Sequence, residues 1–315
     1  MTASPQRTVQ SIDDGTHRGA VIDRVNGYSI VACATCGFRH VLPLPSARDQ
    51  REAYEEVYYR DEKPSYMASA GEDAEWSRLG WDDRLSLFED LLDHDETNPL
   101  SVLDIGCGPG WFLKAANQRG WKTQGIEPSK QAAEHARELG LNIVTAMFDE
   151  TTAPKLARCD VVHLNNMLEH VPDPIALLRL AIGRAWPGGL ICVGVPNDYN
   201  VLQEAARVSG AKAWWLAPPH HLNYFDFASL EALLGRCGLE VVETLTSFPM
   251  ELFLLMGDNY VGDETLGRAC HLRRKQFDLN LEKAGLGNVR RKLYGALAKA
   301  GIGREAIIVA RTAKV

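Results

Sequence analysis

From residue 101 onward the chain alternates between two hydrophobic rhythms. Short apolar runs (SVLDIG, KTQGIE, LNIVTA, CDVVHLNN, GLICVGVP and LEVVETLT) have the length and composition of strands. Between them lie segments whose apolar residues recur at helical spacing: PGWFLKAANQRG, SKQAAEHARELG, DPIALLRLAIGRA and DFASLEALLGRCG. Gly120 is placed to stop the first of these helices. Strand–helix alternation at this spacing predicts an α/β fold, a mostly parallel sheet with helices on both faces. A last strand, EAIIVARTA, comes late, at 305–313.

The rhythm differs on either side of this block. Residues 1–20 are rich in Ser, Thr, Asp, Gly and Gln and read as a disordered tail. YSIVACATCGFRHVLPLP (28–45) reads as two short strands around a Cys-x-x-Cys-Gly turn. RDQREAYEEVYY and DAEWSRLGWDDRLSLFEDLLD read as helices, so that 21–98 form an N-terminal β-turn and helical cap. The alternating core occupies 99–248. A short connection would then suffice, yet 249–303 holds an apolar piece, a basic piece and NVRRKLYGALAKAG. That span is expected to be a helical insertion (a pocket wall, a lid or the arm of a homodimer) before the last core strand in 304–315.

Composition removes several classes of function. The chain has 315 residues, 45% hydrophobic and 24% charged, as in soluble globular proteins. No run of about 18 apolar residues offers a membrane span, and the polar start MTASPQRTVQSIDDGTHRG does not read as a signal peptide. Seven dispersed cysteines, an odd number, make no disulfide framework, so a cytoplasmic location is expected. A net charge of -7 argues against a nucleic-acid partner, which usually calls for a basic domain or stripe.

The stretch SVLDIGCGPGWFL (101–113) carries the candidate chemistry. Gly106, Gly108 and Gly110 are spaced G-x-G-x-G, whereas a dinucleotide fingerprint is G-x-G-x-x-G. The position of its third glycine is Trp111, whose indole obstructs close helix–strand packing, and no Walker loop is present. Asp104 closes the first strand and Glu127 the second. An acid at the second strand end suits two ribose hydroxyls. An acid just before the loop crowds a diphosphate but suits an ammonium group. S-adenosylmethionine carries that ammonium, a ribose and no phosphate.

VLDIGCGPGWFL, GIEPS, DVVHLNNMLEHVPDPIALL and PGGLICVGVPN, in this order, resemble the successive motifs of class I S-adenosylmethionine-dependent methyltransferases over roughly 100–245. The resemblance implies a Rossmann-like, seven-stranded sheet with a reversed last strand. It implies that Asp104 faces the methionine ammonium, that Gly106, Gly108 and Gly110 floor the site, and that Glu127 holds the ribose. The adenine pocket falls on TAMFDE, with Met147, Phe148 and Asp149 as candidates, and Asn165 lies beside the sulfonium. The N-terminal Cys-x-x-Cys-Gly with LPLPSARDQREAYEEVYY is similar to a bacterial subgroup acting on small molecules, sugars and surface glycans. The acceptor implied is therefore a small molecule, a sugar or glycan precursor in glycan biosynthesis, with nitrogen or carbon methylation and a non-catalytic cofactor-binding protein as alternatives.

In APPHHLNYFD (217–226), His221 is the first candidate general base and His220 the second, because a hydroxyl nucleophile must lose its proton during attack. Trp214, Trp215, Tyr199 and Tyr224 are candidates for an aromatic wall. NNMLEHVP is similar to a stretch of the ubiquinone-pathway O-methyltransferases that carries Glu, Glu and His for a divalent metal. Asn166 replaces the first of these here, leaving Glu169 and His170. Cys33 and Cys36 supply half of a tetrahedral site, with only His17 upstream and His40 downstream. No metal site is expected at either place. The basic stretches 271–285 and 288–301 read as solvated helix faces or as a contact for a phosphate-bearing substrate.

Overall fold

The computed structural model describes residues 10–13, 15–45, 71–94 and 98–314. It opens with an antiparallel run of β1 (Ser11–Asp13), β2 (Arg18–Val25), β3 (Tyr28–Cys33) and β4 (Arg39–Leu42). Strands β1 and β2 replace part of the expected disordered tail. Gly19, Ala20 and Val21 pair with Cys33, Ala32 and Val31 of β3, an apolar signal too short to outweigh the polar residues before it. The expected helix RDQREAYEEVYY lies outside the described residues. Helix α1 (Ala74–Leu91) forms as its apolar spacing predicts and buries Leu85 and Phe88.

The alternating block follows: β5 (Ser101–Ile105), α2 (Trp111–Gln118), β6 (Lys122–Ile126), α3 (Lys130–Glu138), β7 (Ile143–Val144), β8 (Cys159–Asn165), α4 (Pro174–Ile182) and β9 (Ala185–Pro196). Then come α5 (Val201–Val208), β10 (Asn223–Tyr224), α6 (Phe227–Arg236) and β11 (Glu240–Leu245). The 249–303 span holds α7 (Glu251–Leu255), α8 (Glu264–Lys283) and α9 (Gly287–Lys299), and β12 (Glu305–Arg311) ends the fold. Local chemistry sets several helix starts. Asp173 accepts from Ala176 N with Pro174 at the first turn of α4, and Asp226 and Ser229 form a reciprocal capping box on α6.

The large sheet has seven strands in the order β11-β12-β9-β8-β5-β6-β7. The strands from β9 to β7 run parallel, and β12 is antiparallel to both its neighbours. Both faces are buried, as the near-continuous apolar strands require. Leu103, Ile105, Val162, Ile191 and Ile308 pack with α4 and α6 on one face. Val102, Val161, Leu190, Ile307 and Val309 pack with α1, α2 and α3 on the other. Asp104 and His163 alternate onto this second face.

The small sheet is β1-β2-β3-β4-β10, so a two-residue strand from the core region joins the N-terminal hairpins. No helix among the described residues is long and apolar enough to cross a membrane.

Candidate active site

The carboxyl ends of β5, β6, β8 and β9 open into a cleft of about 1270 Å³, the edge where open α/β sheets hold ligands. Its lining includes Asp104, Gly106, Gly108, Glu127, Met147 and Asn165 from the strand ends, and Glu169, His170 and His221 from the opposite side. Trp76 and Arg84 of α1, Arg274 of α8 and Tyr294 of α9 also line it.

The glycine loop follows from backbone geometry. Gly106, Gly108 and Gly110 have φ of 73°, 51° and 84°, the left-handed region that side-chain-bearing residues avoid. Gly106 N and Cys107 N both donate to Ile126 O, which folds the loop over the end of β6. A Cβ on Gly110 would lie 2.6 Å from Leu141 Cδ1 and 2.8 Å from Ala136 Cβ. Gly110 thus supplies the close packing of the loop, and the Trp111 indole, expected to obstruct such packing, lines the cleft instead.

Glu127 is 4% exposed. Its Oε2 accepts from Gly108 N and its Oε1 from Ser129 N, both at 2.9 Å. Burial pushes its carboxyl up, the two N–H groups pull it down, and nearby Asp104 raises it again, leaving it at about 7. It braces the glycine loop and the start of α3 while facing the cleft.

Asp104 does not face the cleft alone. Its Oδ1 accepts from His163 Nδ1 at 2.7 Å. Arg84 Nη1 lies 3.2 Å from His163 Nε2. A guanidinium only donates, so Nε2 accepts and the ring proton sits on Nδ1. Arg84 also donates to Asn165 Oδ1 at 3.0 Å, and His163 stacks on Phe112 with centroids 4.0 Å apart. Asp104, expected to face an ammonium, is thus also engaged by a buried His163 that Arg84 holds in turn. The signal for it was a lone His inside the apolar run CDVVHLNN; Arg84 gave none, because its partners are far away in sequence.

The TAMFDE segment divides. Met147 lines the cleft, whereas Phe148 packs into the core with Ile126 and Leu164 and has no place in the cleft wall. Asp149 Oδ1 accepts from Thr151 N and Thr152 N, and these contacts, that of Thr151 Oγ1 foremost, hold its carboxyl below the usual range.

On the opposite side, ligand-capable atoms of Glu169, His170 and His221 lie within 4.8 Å of one another. His170 and His221 meet edge to face at 5.0 Å, and His170 Nε2 is 3.6 Å from Glu169 Oε1. Leu222 N donates to Glu169 O at 2.7 Å, and Asn223 Nδ2 donates to Leu168 O and Val171 O. Strand β10 thus holds the Leu168–His170 turn against His221. His220 is exposed and outside the cleft. Its carbonyl accepts from His170 Nδ1 at 2.8 Å.

Trp214, Trp215, Tyr199 and Tyr224 pack with Ile30, Val41 and Leu222 beneath the small sheet. They form core, and the cleft takes its aromatic wall from Trp76, Trp81 and Trp111. The basic stretches mostly dock the insertion. Arg290 pairs with Asp83 at 2.9 Å, Arg291 with Asp83 at 3.2 Å, and Arg274 lies over the Trp76 ring.

Residues 74–244 match the model of a family described as Methyltransferase domain. The chain is 37% identical over 154 residues to the ubiquinone biosynthesis O-methyltransferase of Stutzerimonas stutzeri (strain A1501), covering 42% of this chain and 64% of the relative, less than two thirds of its length. It is 29% identical over 212 residues to the protein of the same name from Neisseria meningitidis serogroup C (strain 053442), covering 57% of this chain and 85% of that one. The plantazolicin methyltransferase BamL, solved with a triazolic desmethylPZN analog and SAH, superposes with a TM-score of 0.52 at 18% identity, over 84% of this chain and 95% of that chain. That likeness is one of fold. The quinone-pathway names of the relatives give no support to a sugar acceptor.

Proposed function

The chain belongs to the methyltransferase-domain family, matched over more than half of its length, and from that premise we propose that it moves the methyl group of S-adenosylmethionine to a hydroxyl of a small molecule. The observation that carries this reading is the shared cleft, with the glycine loop and Glu127 on one side and His221 on the other.

The residues present fit the cofactor. Gly106 leaves its cleft side clear, since a Cβ there would meet only Met167, at ordinary contact distance. Glu127 offers buried carboxylate oxygens to two ribose hydroxyls. Asp104, steadied by His163, offers a negative group at the loop for the ammonium, and Met147 an apolar surface for the base. When bound, the cofactor supplies an electrophilic methyl on a sulfonium. The chain's part is to hold the acceptor oxygen in line and to take its proton. Orientation of this kind contributes about 7–11 kcal/mol to such reactions. His221 takes the proton as the hydroxyl attacks.

The acceptor is a ring-bearing alcohol. Trp76, Trp81 and Trp111 give the cleft planar faces that suit either a sugar or a phenol. The sugar or glycan precursor rests on the N-terminal motif, and the phenol on the names of the relatives. A second reading has its own observation: Glu169, His170 and His221 together can hold a divalent cation that orients the acceptor. The homodimer expected of the insertion is supported by exposed Leu272, Phe277 and Val289 on α8 and α9, and sedimentation tests it.

Calorimetric titration tests the core of the reading. Micromolar binding of S-adenosylmethionine and none of NAD is expected; the reverse would overturn it. Methyl transfer to nucleotide sugars and to catechols then separates the acceptors. Loss of turnover with a chelator, restored by magnesium, would favour the cation reading over a His221 base.

A further inference from the structure

A second cluster lies away from the cleft, at the edge of the small sheet. His17 precedes β2, Cys33 ends β3, Cys36 sits in the following turn and His40 is on β4. One donor atom from each lies within 4.8 Å of the others. The sequence expectation was half a site without metal. Pairing of β2, β3 and β4 brings in the two imidazoles that complete it, and strand pairing is what spacing alone does not show.

The details are those of a ligand set. His17 Nδ1 is 3.4 Å from Cys36 Sγ and 3.9 Å from Cys33 Sγ. Sulfur and nitrogen donors around a tetrahedral zinc ion stand about 3.6 Å apart, given bonds of about 2.3 and 2.0–2.1 Å. Cys36 N points at Cys33 Sγ at 3.4 Å, and Gly37, at φ 77°, turns the chain so that both sulfurs face one way. His40 donates from Nδ1 to Val41 O at 2.9 Å. That bond fixes the tautomer and leaves Nε2 with a lone pair. His40 is 2% exposed, and its Nε2 makes no hydrogen bond among the described residues. A buried imidazole nitrogen with no hydrogen bond, beside two thiols, has the chemistry of a metal ligand.

We propose that His17, Cys33, Cys36 and His40 bind one tetrahedral zinc ion. Two thiolates and two imidazoles select zinc over the hard cations magnesium and calcium. Four protein donors leave no open position, so the ion is structural.

The ion has a mechanical consequence. His40 pairs in register with Asn223 of β10, and Val41 N donates to Leu222 O at 2.8 Å. Arg236 donates to Cys36 O. Zinc therefore fastens the strand that holds the Glu169 turn against His221. The site stands independently of the proposed reaction, so failure of either leaves the other intact.

The test is metal analysis of the reduced full chain after zinc loading and dialysis, followed by cobalt substitution. One zinc per chain is expected from this site, and cobalt is expected to show thiolate charge-transfer absorption. Cys36→Ser should lower the zinc count by one, and Cys237→Ser should leave it unchanged. His17→Cys should keep the metal and raise the charge-transfer absorption by about half, since three sulfurs replace two; this variant reads the ligand set without removing the ion. A folded chain with reactive Cys33 and Cys36 thiols and no zinc overturns the proposal. So does cobalt bound without thiolate absorption, or metal that survives Cys36→Ser and is lost in Glu169→Gln, which places it in the cleft.

Discussion

The two sheets divide the labour of the site. The large parallel sheet presents Asp104, the three glycines and Glu127 at consecutive strand ends, each set by the few residues around it. The small antiparallel sheet presents nothing to the cleft by itself. It holds β10, and through β10 the Glu169, His170 and His221 group. On the proposed function, cofactor binding and acceptor chemistry therefore hang on different scaffolds. Damage to one should leave the other measurable.

The strongest test of that separation is Glu127→Ala. Removing a buried carboxylate that would accept two hydroxyls should weaken S-adenosylmethionine binding by about 100-fold or more, since hydrogen bonds to charged groups contribute about 1.5–3 kcal/mol each. The chain should remain folded, with the zinc content of the small sheet unchanged. Calorimetry and metal analysis check both halves, and a loss of zinc in this variant would break the division.

His221→Ala should show the converse. Turnover is expected to fall about 100-fold or more, the lower range for loss of a positioned base, with cofactor affinity within about twofold of wild type. Equal turnover would remove His221 as the base.

The pH dependence sharpens the same contrast. A Glu127 carboxyl at about 7 passes from about one tenth to about nine tenths ionised between pH 6 and 8. Cofactor hydroxyls donate to the ionised form, so affinity should rise about ninefold over that interval and lose this dependence in Glu127→Gln. Stability runs the other way. The folded value lies above the ordinary 4.5, so this group's contribution to the unliganded fold is fully present below about 4.5 and is lost as pH rises through about 7. On the proposed function, the site gives up stability to keep a carboxylate for the ribose.

The same division explains what was legible in the sequence. The large sheet, its strand order of alternation and the residues at its strand ends are local features, readable from apolar runs and the glycines that interrupt them. Gly110 shows the limit of such reading. Its packing role depends on Ala136 and Leu141, which only the folded chain brings near. The Arg84–His163–Asp104 relay, the docking of Arg290 on Asp83 and the His17–Cys33–Cys36–His40 cluster all join residues from separate elements. Phe148 and Met147 were indistinguishable by type; a two-residue β7 and the turn after it decide which one faces the cleft.

The smallest expected effect belongs to the neighbour of the proposed base. His220 was a candidate by chemistry, adjacent in sequence and equally able to accept a proton. Its ring is exposed outside the cleft, and its carbonyl is what orients His170. His220→Ala keeps that carbonyl. Its turnover and cofactor affinity should stay within about twofold of wild type, the range of ordinary surface substitutions at roughly 0.5 kcal/mol. A loss comparable to that of His221→Ala would mean that the 217–222 turn rearranges when the acceptor binds, and that the small sheet does not hold the acceptor side as rigidly as its hydrogen bonds to Glu169 and Leu168 require.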